Sequence, residues 1–255
     1  MLYRNNQYKL DGTSRTLFSN VFKDSLDKEH FGSYFSLAQY DWAYRKIIEF
    51  ARKDDYILDW GCGNGHFSLF LQENKFTNIY GYSYDEPCLI HTLKKGNFNY
   101  LAGDSGFPNK MKYKDNTFSV VCSIGVLEHV RDTNGTELEC LKEIHRILKD
   151  QGLFLCAHFP NKFSWIEALA RLHPNKKAHK YRYQKKDIYY LLKKSGFRIL
   201  ELKSYGFFPR NSFSGKRAFL GNNFIIFHFL NTLDSILSYI FPLITQNYGF
   251  ICIKL

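Results

Sequence analysis

A chain of 255 residues can bury one substantial core, and its composition is that of a soluble globular protein enriched in aromatics, with 24 Phe and 18 Tyr. The formal net charge of +11 is concentrated: residues 171–217 hold 14 of the 35 Lys and Arg against two acids, Asp187 and Glu201, so this band carries about +12 and the remainder about −1. The opening "MLYRNNQYKLDGTSR" lacks the apolar run of a secretory signal; the six cysteines (Cys62, Cys88, Cys122, Cys140, Cys156, Cys252) form no C-x-x-C pair, which favours a reducing, cytoplasmic setting over a disulfide framework or zinc site.

Residues 1–35 read as a mixed, polar extension in which Phe18, Val21 and Phe22 are docking candidates. In "SLAQYDWAYRKIIEFARK" (36–53), Leu37, Tyr40, Tyr44, Ile47 and Ile48 recur at helical spacing and predict a helix. "YILDW" reads as a short buried strand running into glycines, with "NGHFSLFLQEN" as the following helix. "NIYGYS" is a strand, "EPCLIHTLKK" a helix with Pro87 in its first turn, and "FNYLAGD" a strand. "TFSVVCSIG" is a strand, "ELECLKEIHRILKD" an amphipathic helix ended by Gly152, and "GLFLCAHF" a strand. "KKDIYYLLKKSGF" is a helix stopped by Gly196, "RILELKSYGF" a strand, and "YGFICIKL" a closing strand. Strands alternating with helices predict an α/β sandwich around a mainly parallel sheet.

One region breaks the rhythm. The apolar part of the insert 207–247, "FIIFHFLNTLDSILSYIFPLI" (224–244), is long enough to span a bilayer, but His228, Asn231, Thr232, Asp234, Ser235 and Ser238 interrupt it. Phe229, Leu230, Leu233, Ile236, Leu237 and Ile240 recur at helical spacing and predict an amphipathic helix instead. The expected layout is one domain: an extension (1–35), a core (36–206), the helical insert (207–247) and a final strand (248–255).

Between the first strand and its helix, glycine recurs at Gly61, Gly63 and Gly65. Glycine admits positive φ and lets a ligand touch the main chain, while the helix N-terminus offers free N–H groups to an anion. Strand, glycine turn and helix together make a nucleotide-type site at the carboxyl end of a parallel sheet. The dinucleotide fingerprint would require glycine at 66, where His66 stands; the pattern here is D-x-G-x-G-x-G.

Taken in order, "ILDWGCGNG", "GYSYDEP", "LAGDSGFP", "NTFSVVCSIGVLEHV" and "EIHRILKDQGLFLCAHFPN" resemble the class I S-adenosylmethionine-dependent methyltransferases, over roughly residues 36–206 and the terminal strand. The style is nearest to the ubiquinone-type O-methyltransferases and the methyltransferases of bacterial glycan pathways, through "LEHV" after the fourth strand and "FPN" after the fifth. The resemblance implies a Rossmann-like seven-stranded sheet with helices on both faces and the last strand antiparallel. It also implies S-adenosyl-L-methionine as cofactor and S-adenosyl-L-homocysteine as product. By position, Asp59, Gly61, Cys62, Gly63 and Gly65 would surround the methionine end, Asp104 and Ser105 the adenine edge, and Ile124 and Gly125 the sulfonium. Where the family carries an acid to grip the ribose, this chain has Ser83, followed by Tyr84 and Asp85, so either Ser83 or Asp85 holds the sugar. Ser119 is a further departure, Asp being commoner there.

A sulfonium is already an activated methyl donor, so the protein's main task is to align an acceptor. Orientation is worth roughly 7–11 kcal/mol and a general base about 10²–10⁴-fold. The candidates for base are His129 and His158, with Glu128 as a supporting carboxylate. The stretch "RLHPNKKAHKYRY" offers His173, His179 and Arg182 to the acceptor. No cluster has metal-ligand spacing, and no metal is expected. A basic band beside an apolar insert suits an anionic or amphiphilic acceptor, such as a lipid-linked glycan or a polyprenylated ring. It also suits transient contact with an anionic inner leaflet, at about 1 kcal/mol per nearby cation. The rival readings are a tRNA-type RNA methyltransferase whose band tracks phosphates, and a non-catalytic cofactor-binding scaffold.

Overall fold

Apolar runs with little alternation, such as "VVCSI" and "FLCAHF", belong to strands covered on both faces, and they form the middle of the sheet. The computed structural model describes residues 32–104, 106, 109–172 and 178–255. Its strands are β1 (Tyr56–Trp60), β2 (Asn78–Ser83), β3 (Phe98–Ala102), β4 (Phe118–Ile124), β5 (Leu148–Pro160), β6 (Phe197–Tyr205) and β7 (Asn247–Lys254). They make one seven-stranded sheet in the order β3-β2-β1-β4-β5-β7-β6. β1 pairs in parallel with β2 and β4, as do β2 with β3 and β4 with β5. Gln246 N donates to Gly206 O just beyond the end of β6, and Leu255 N donates to Gly196 O just before its start, so β7 runs antiparallel. This is the sheet that the alternation and the resemblance led us to expect.

The helices are α1 (Tyr34–Leu37), α2 (Asp41–Phe50), α3 (His66–Glu73), α4 (Ile90–Leu93), α5 (Glu137–Ile147), α6 (Trp165–Leu172), α7 (Lys185–Lys194), α8 (Ala218–Asn222) and α9 (Phe224–Ile240). α5 shows how local chemistry sets an element. Thr136 Oγ1 caps it by accepting from Glu139 N, acids open it, and His145 and Arg146 close it in line with the helix dipole. Its Cys140, Leu141, Ile144 and Ile147 are buried at helical spacing.

Three element readings need correction. The expected helix over 36–53 is divided: the Ser33–Ser36 capping box opens a one-turn α1, a 3-10 turn covers Ala38–Tyr40, and α2 follows. Over 86–95 only Ile90–Leu93 is helical, and Pro87 lies outside it; just before the helix, Leu89 N donates to Asn64 O at 3.3 Å. Gly152 does not end α5. The helix stops at Ile147, Gln151 turns the chain at φ +60, and Gly152 sits within β5, where a Cβ would meet Lys149 O at 2.7 Å.

The chain forms two compact units interleaved in sequence. The unit of 50–162, 180–203 and 248–255 holds the sheet core, with Phe118, Val121, Ile144, Phe154, Phe250 and Cys252 fully covered. The unit built from residues up to 49, 163–179 and 204–247 has a small core of Phe35, Ala38 and Phe227. It is fastened by a buried ion pair: Arg210 Nη2 lies 2.7 Å from Asp234 Oδ2, while Asp234 Oδ1 accepts from Phe208 N at 2.7 Å.

Candidate functional site

The strand order places β1 between β2 and β4, so the chain leaves β1 on one side and returns on the other. A crevice opens at the carboxyl ends of strands at such a switch. Register aligns those ends, since Trp60 pairs with Tyr82 on β2 and with Ser123 on β4. The residues just beyond them, with the 3-10 segment Leu127–Thr133, enclose a cavity of about 420 Å³. Its walls include Gly61, Gly63, Ser83, Tyr84, Asp85, Gly125 and His129 of the residues expected from sequence.

The three glycines do different work. All are left-handed, with φ of +75, +48 and +88. A Cβ at Gly61 would lie 2.3 Å from a methyl of Val126, and one at Gly65 would lie 2.7 Å from Leu93. These two exclude side chains for the sake of the protein's own packing. At Gly63 a Cβ would meet nothing nearer than Gly61 O at 3.9 Å, so the space beside it belongs to the cavity.

The turn after β2 is equally specific. Ser83 Oγ donates to Asp85 O at 2.7 Å and lies 3.3 Å from Cys62 Sγ, while Ser83 O accepts from Gly103 N and Tyr100 Oη. The hydroxyl therefore shapes the turn, and the turn presents the exposed carboxylates Asp85 and Glu86 to the cavity. Cys62 is buried, and that burial pushes its thiol up to about 12.

Asp59 is buried beneath the loop, away from the cavity lining, and accepts from Ser68 Oγ at 2.7 Å. Burial raises its carboxyl from 3.8 to about 7 against that hydrogen bond. Gly65 starts α3 behind the loop, and Ile124 ends β4 next to Gly125; neither lines the cavity. Asp104 accepts from Gly106 N at 2.9 Å in its own turn. Ser105 and His173 lie outside the described residues.

His129 lines the cavity, with Nδ1 3.1 Å from Asp132 Oδ2. His158 sits in β5 at φ +64 and does not line it. His179, in the other unit, is held by Glu167, whose oxygens lie 3.0 Å from its Nδ1 and 2.8 Å from its N. Burial pushes the Glu167 carboxyl up, but the hydrogen bonds and charge of His179 outweigh it and leave it below its ordinary range. Arg182 lines a second cavity of about 330 Å³ with Arg131, Tyr181, Tyr183, Asp187 and Tyr190. There Arg131 stands over the Tyr181 ring at 4.8 Å, and its Nε donates to buried Glu137 at 2.9 Å. Sequence reasoning missed Asn64, Glu86, Val126, Asp132 and Thr133 as lining residues. Their signal was adjacency alone: Glu86 follows Asp85, and "LEHVRDT" follows the fourth strand directly.

A sequence profile described as "Methyltransferase domain" matches residues 34–202. The chain belongs to the methyltransferase domain family. An uncharacterized protein of Methanocaldococcus jannaschii is 34% identical over 140 residues, covering 51% of this chain and 56% of its own. An uncharacterized methyltransferase of Schizosaccharomyces pombe is 28% identical over 123 residues, covering 43% and 42%. The chain thus spans about half the length of the curated relatives it matches. The methyltransferase fold recurs in solved structures. A SAM-dependent methyltransferase from Archaeoglobus fulgidus aligns with a TM-score of 0.58 at 18% identity, over 94% of this chain and 99% of that one. Magnesium protoporphyrin IX methyltransferase from Synechocystis PCC 6803, solved with bound SAH, aligns with a TM-score of 0.56 at 13% identity, over 96% and 95%.

Proposed function

We propose that this chain is an S-adenosylmethionine-dependent methyltransferase whose cofactor is held in the cavity at the ends of β1, β2 and β4. The observation that carries this reading is Gly63, a left-handed, cavity-lining residue at which a side chain would meet no neighbouring atom nearer than 3.9 Å. Bound there, the cofactor supplies a methyl group activated by a sulfonium. The residues present suit its parts: main chain at Gly61 and Gly63 for the amino-acid end, carboxylates of Asp85 and Glu86 for ribose hydroxyls, and Tyr82, Tyr84 and Val126 for apolar cover. His129, which lines the cavity beside Asp132, is the group placed to take a proton from an acceptor hydroxyl.

Titration calorimetry with S-adenosylhomocysteine tests this. Wild type should bind, Gly63→Arg should abolish binding, and Asp85→Asn or Glu86→Gln should weaken it about 10-fold or more, the worth of a hydrogen bond to a charge. Ser83→Ala should matter less, since its hydroxyl is spent within the turn. A folded wild type that does not bind overturns the reading and leaves a scaffold.

For the acceptor, the second cavity favours a small anionic or amphiphilic molecule, such as a phosphorylated, lipid-linked glycan. It shares the segment Leu127–Thr133 with the first, and its Arg131 is fixed between Tyr181 and Glu137. Turnover assayed on such glycans should show a raised KM for Arg131→Met, with SAH affinity unchanged. Methylation of RNA but of no small acceptor would overturn this.

A further inference from the structure

Helix α9 is inside out. The stripe it buries, Phe227, Asp234 and Ser238, is mostly polar, and the Asp234 carboxylate is met by Arg210 and by Phe208 N. The opposite face carries Ile225, Phe229, Ile236 and Ile240, spaced i, i+4, i+11 and i+15, and they are 78%, 65%, 49% and 57% exposed. Phe219 on α8, and Phe224, Phe241 and Leu243 near the two ends of α9, are exposed as well. A helix meant to face water alone has the reverse arrangement, and contiguous exposed apolar surface of this kind marks an interaction site.

The charges say what the face meets. Across residues 204–247 the sole acid is Asp234, buried against Arg210. That leaves Lys216 and Arg217, both exposed, immediately before α8. Exposed Phe and Ile beside cations, with no exposed acid in the segment, is the pattern of an element lying in the headgroup layer of an anionic bilayer. A second copy of this chain fits less well, because a two-fold contact would set the same cations of a +11 chain against themselves. Among the described residues no helix is long and apolar enough to cross a membrane, which leaves lying on the surface as the mode of contact.

We infer that α8 and α9 form a docking surface for an anionic lipid bilayer, with Ile225, Phe229, Ile236 and Ile240 entering the acyl boundary and Lys216 and Arg217 on headgroup phosphates. The inference does not rest on the chemistry of the cavity, so it can fail or stand independently of the proposed function. It is tested by co-sedimentation of the full chain with vesicles of phosphatidylglycerol and phosphatidylcholine in equal parts, against vesicles of phosphatidylcholine alone. Wild type should partition to the anionic vesicles, with affinity falling as salt rises. Phe229→Glu or Ile236→Glu should each reduce partitioning about 10-fold or more, as expected from losing one buried apolar side chain. Lys216→Gln and Arg217→Gln should each reduce it about fivefold. The substituted side chains are exposed, so the circular dichroism and thermal midpoint of each variant should match wild type. Equal partitioning to both vesicle types, or no effect of either glutamate, overturns the inference. So does a concentration-dependent dimer that Phe229→Glu dissociates.

Discussion

At the scale of single residues, the glycine loop separates packing from binding, and the two are measurable apart. Gly61→Ala places a methyl against Val126 at a left-handed position, which should cost roughly 1–2 kcal/mol of backbone strain and 1–3 kcal/mol of overpacking. Adding Val126→Ala should return the overpacking part, read from urea midpoints. Gly63→Ala should cost about 1–2 kcal/mol of strain alone, yet lose more SAH affinity than stability; equal behaviour of the two alanines would refute the distinction. Asp59 gives a pH signature. Its folded-state carboxyl is raised from 3.8 to about 7 by burial, so the folded chain keeps a proton that the unfolded chain has released. Stability contributed at low pH is therefore lost as pH rises between about 4 and 7, up to about 4 kcal/mol at roughly 1.4 kcal/mol per pH unit. Asp59→Asn, which still accepts from Ser68, should match wild type near pH 4 and exceed it above about 7. A difference independent of pH would show that Asp59 is ionised when buried.

At the scale of elements, the same physics explains what could be read beforehand. The strands were legible because β4 and β5 are apolar on both faces, and α5 because its caps, charges and buried stripe agree. The glycine loop was legible because a left-handed turn between strand and helix restricts residue type so sharply. The extent of α4 was not, since it covers only Ile90–Leu93 and its neighbourhood includes a long-range bond from Leu89 N to Asn64 O that sequence does not announce. Nor was the role of Ser83, whose partner is a main-chain oxygen. In α9 the spacing announced an apolar stripe but not its direction; the direction depends on Arg210, 24 residues away from Asp234. Breaking that pair should cost far more than replacing it whole. Asp234→Ala leaves a buried guanidinium unpaired and should cost about 3–5 kcal/mol, whereas Arg210→Met with Asp234→Leu should be near neutral or stabilising. Denaturation followed by circular dichroism distinguishes them, and an equal loss in both would assign the stability to the Phe208 N hydrogen bond instead.

At the scale of the whole molecule, the two units differ in how they bury surface. The sheet unit covers Phe118, Val121, Phe154, Phe250 and Cys252 almost completely, and every residue of β7 is buried. The other unit has Phe35, Ala38 and Phe227 at its centre and turns much of its apolar side-chain surface outward along α8 and α9. Local stability follows buried apolar area and protected hydrogen bonds, so opening free energy should be graded along the chain. Amide exchange measured by mass spectrometry should find residues 218–240 exchanging well before β4, β5 and β7. Because an interfacial helix gains its missing burial from the bilayer, anionic vesicles should slow exchange in 218–240 and leave the central strands unchanged. Equal protection of the two regions without lipid would contradict the grading. Slowing by vesicles everywhere, or nowhere, would contradict the idea that α9 completes its burial outside its own chain.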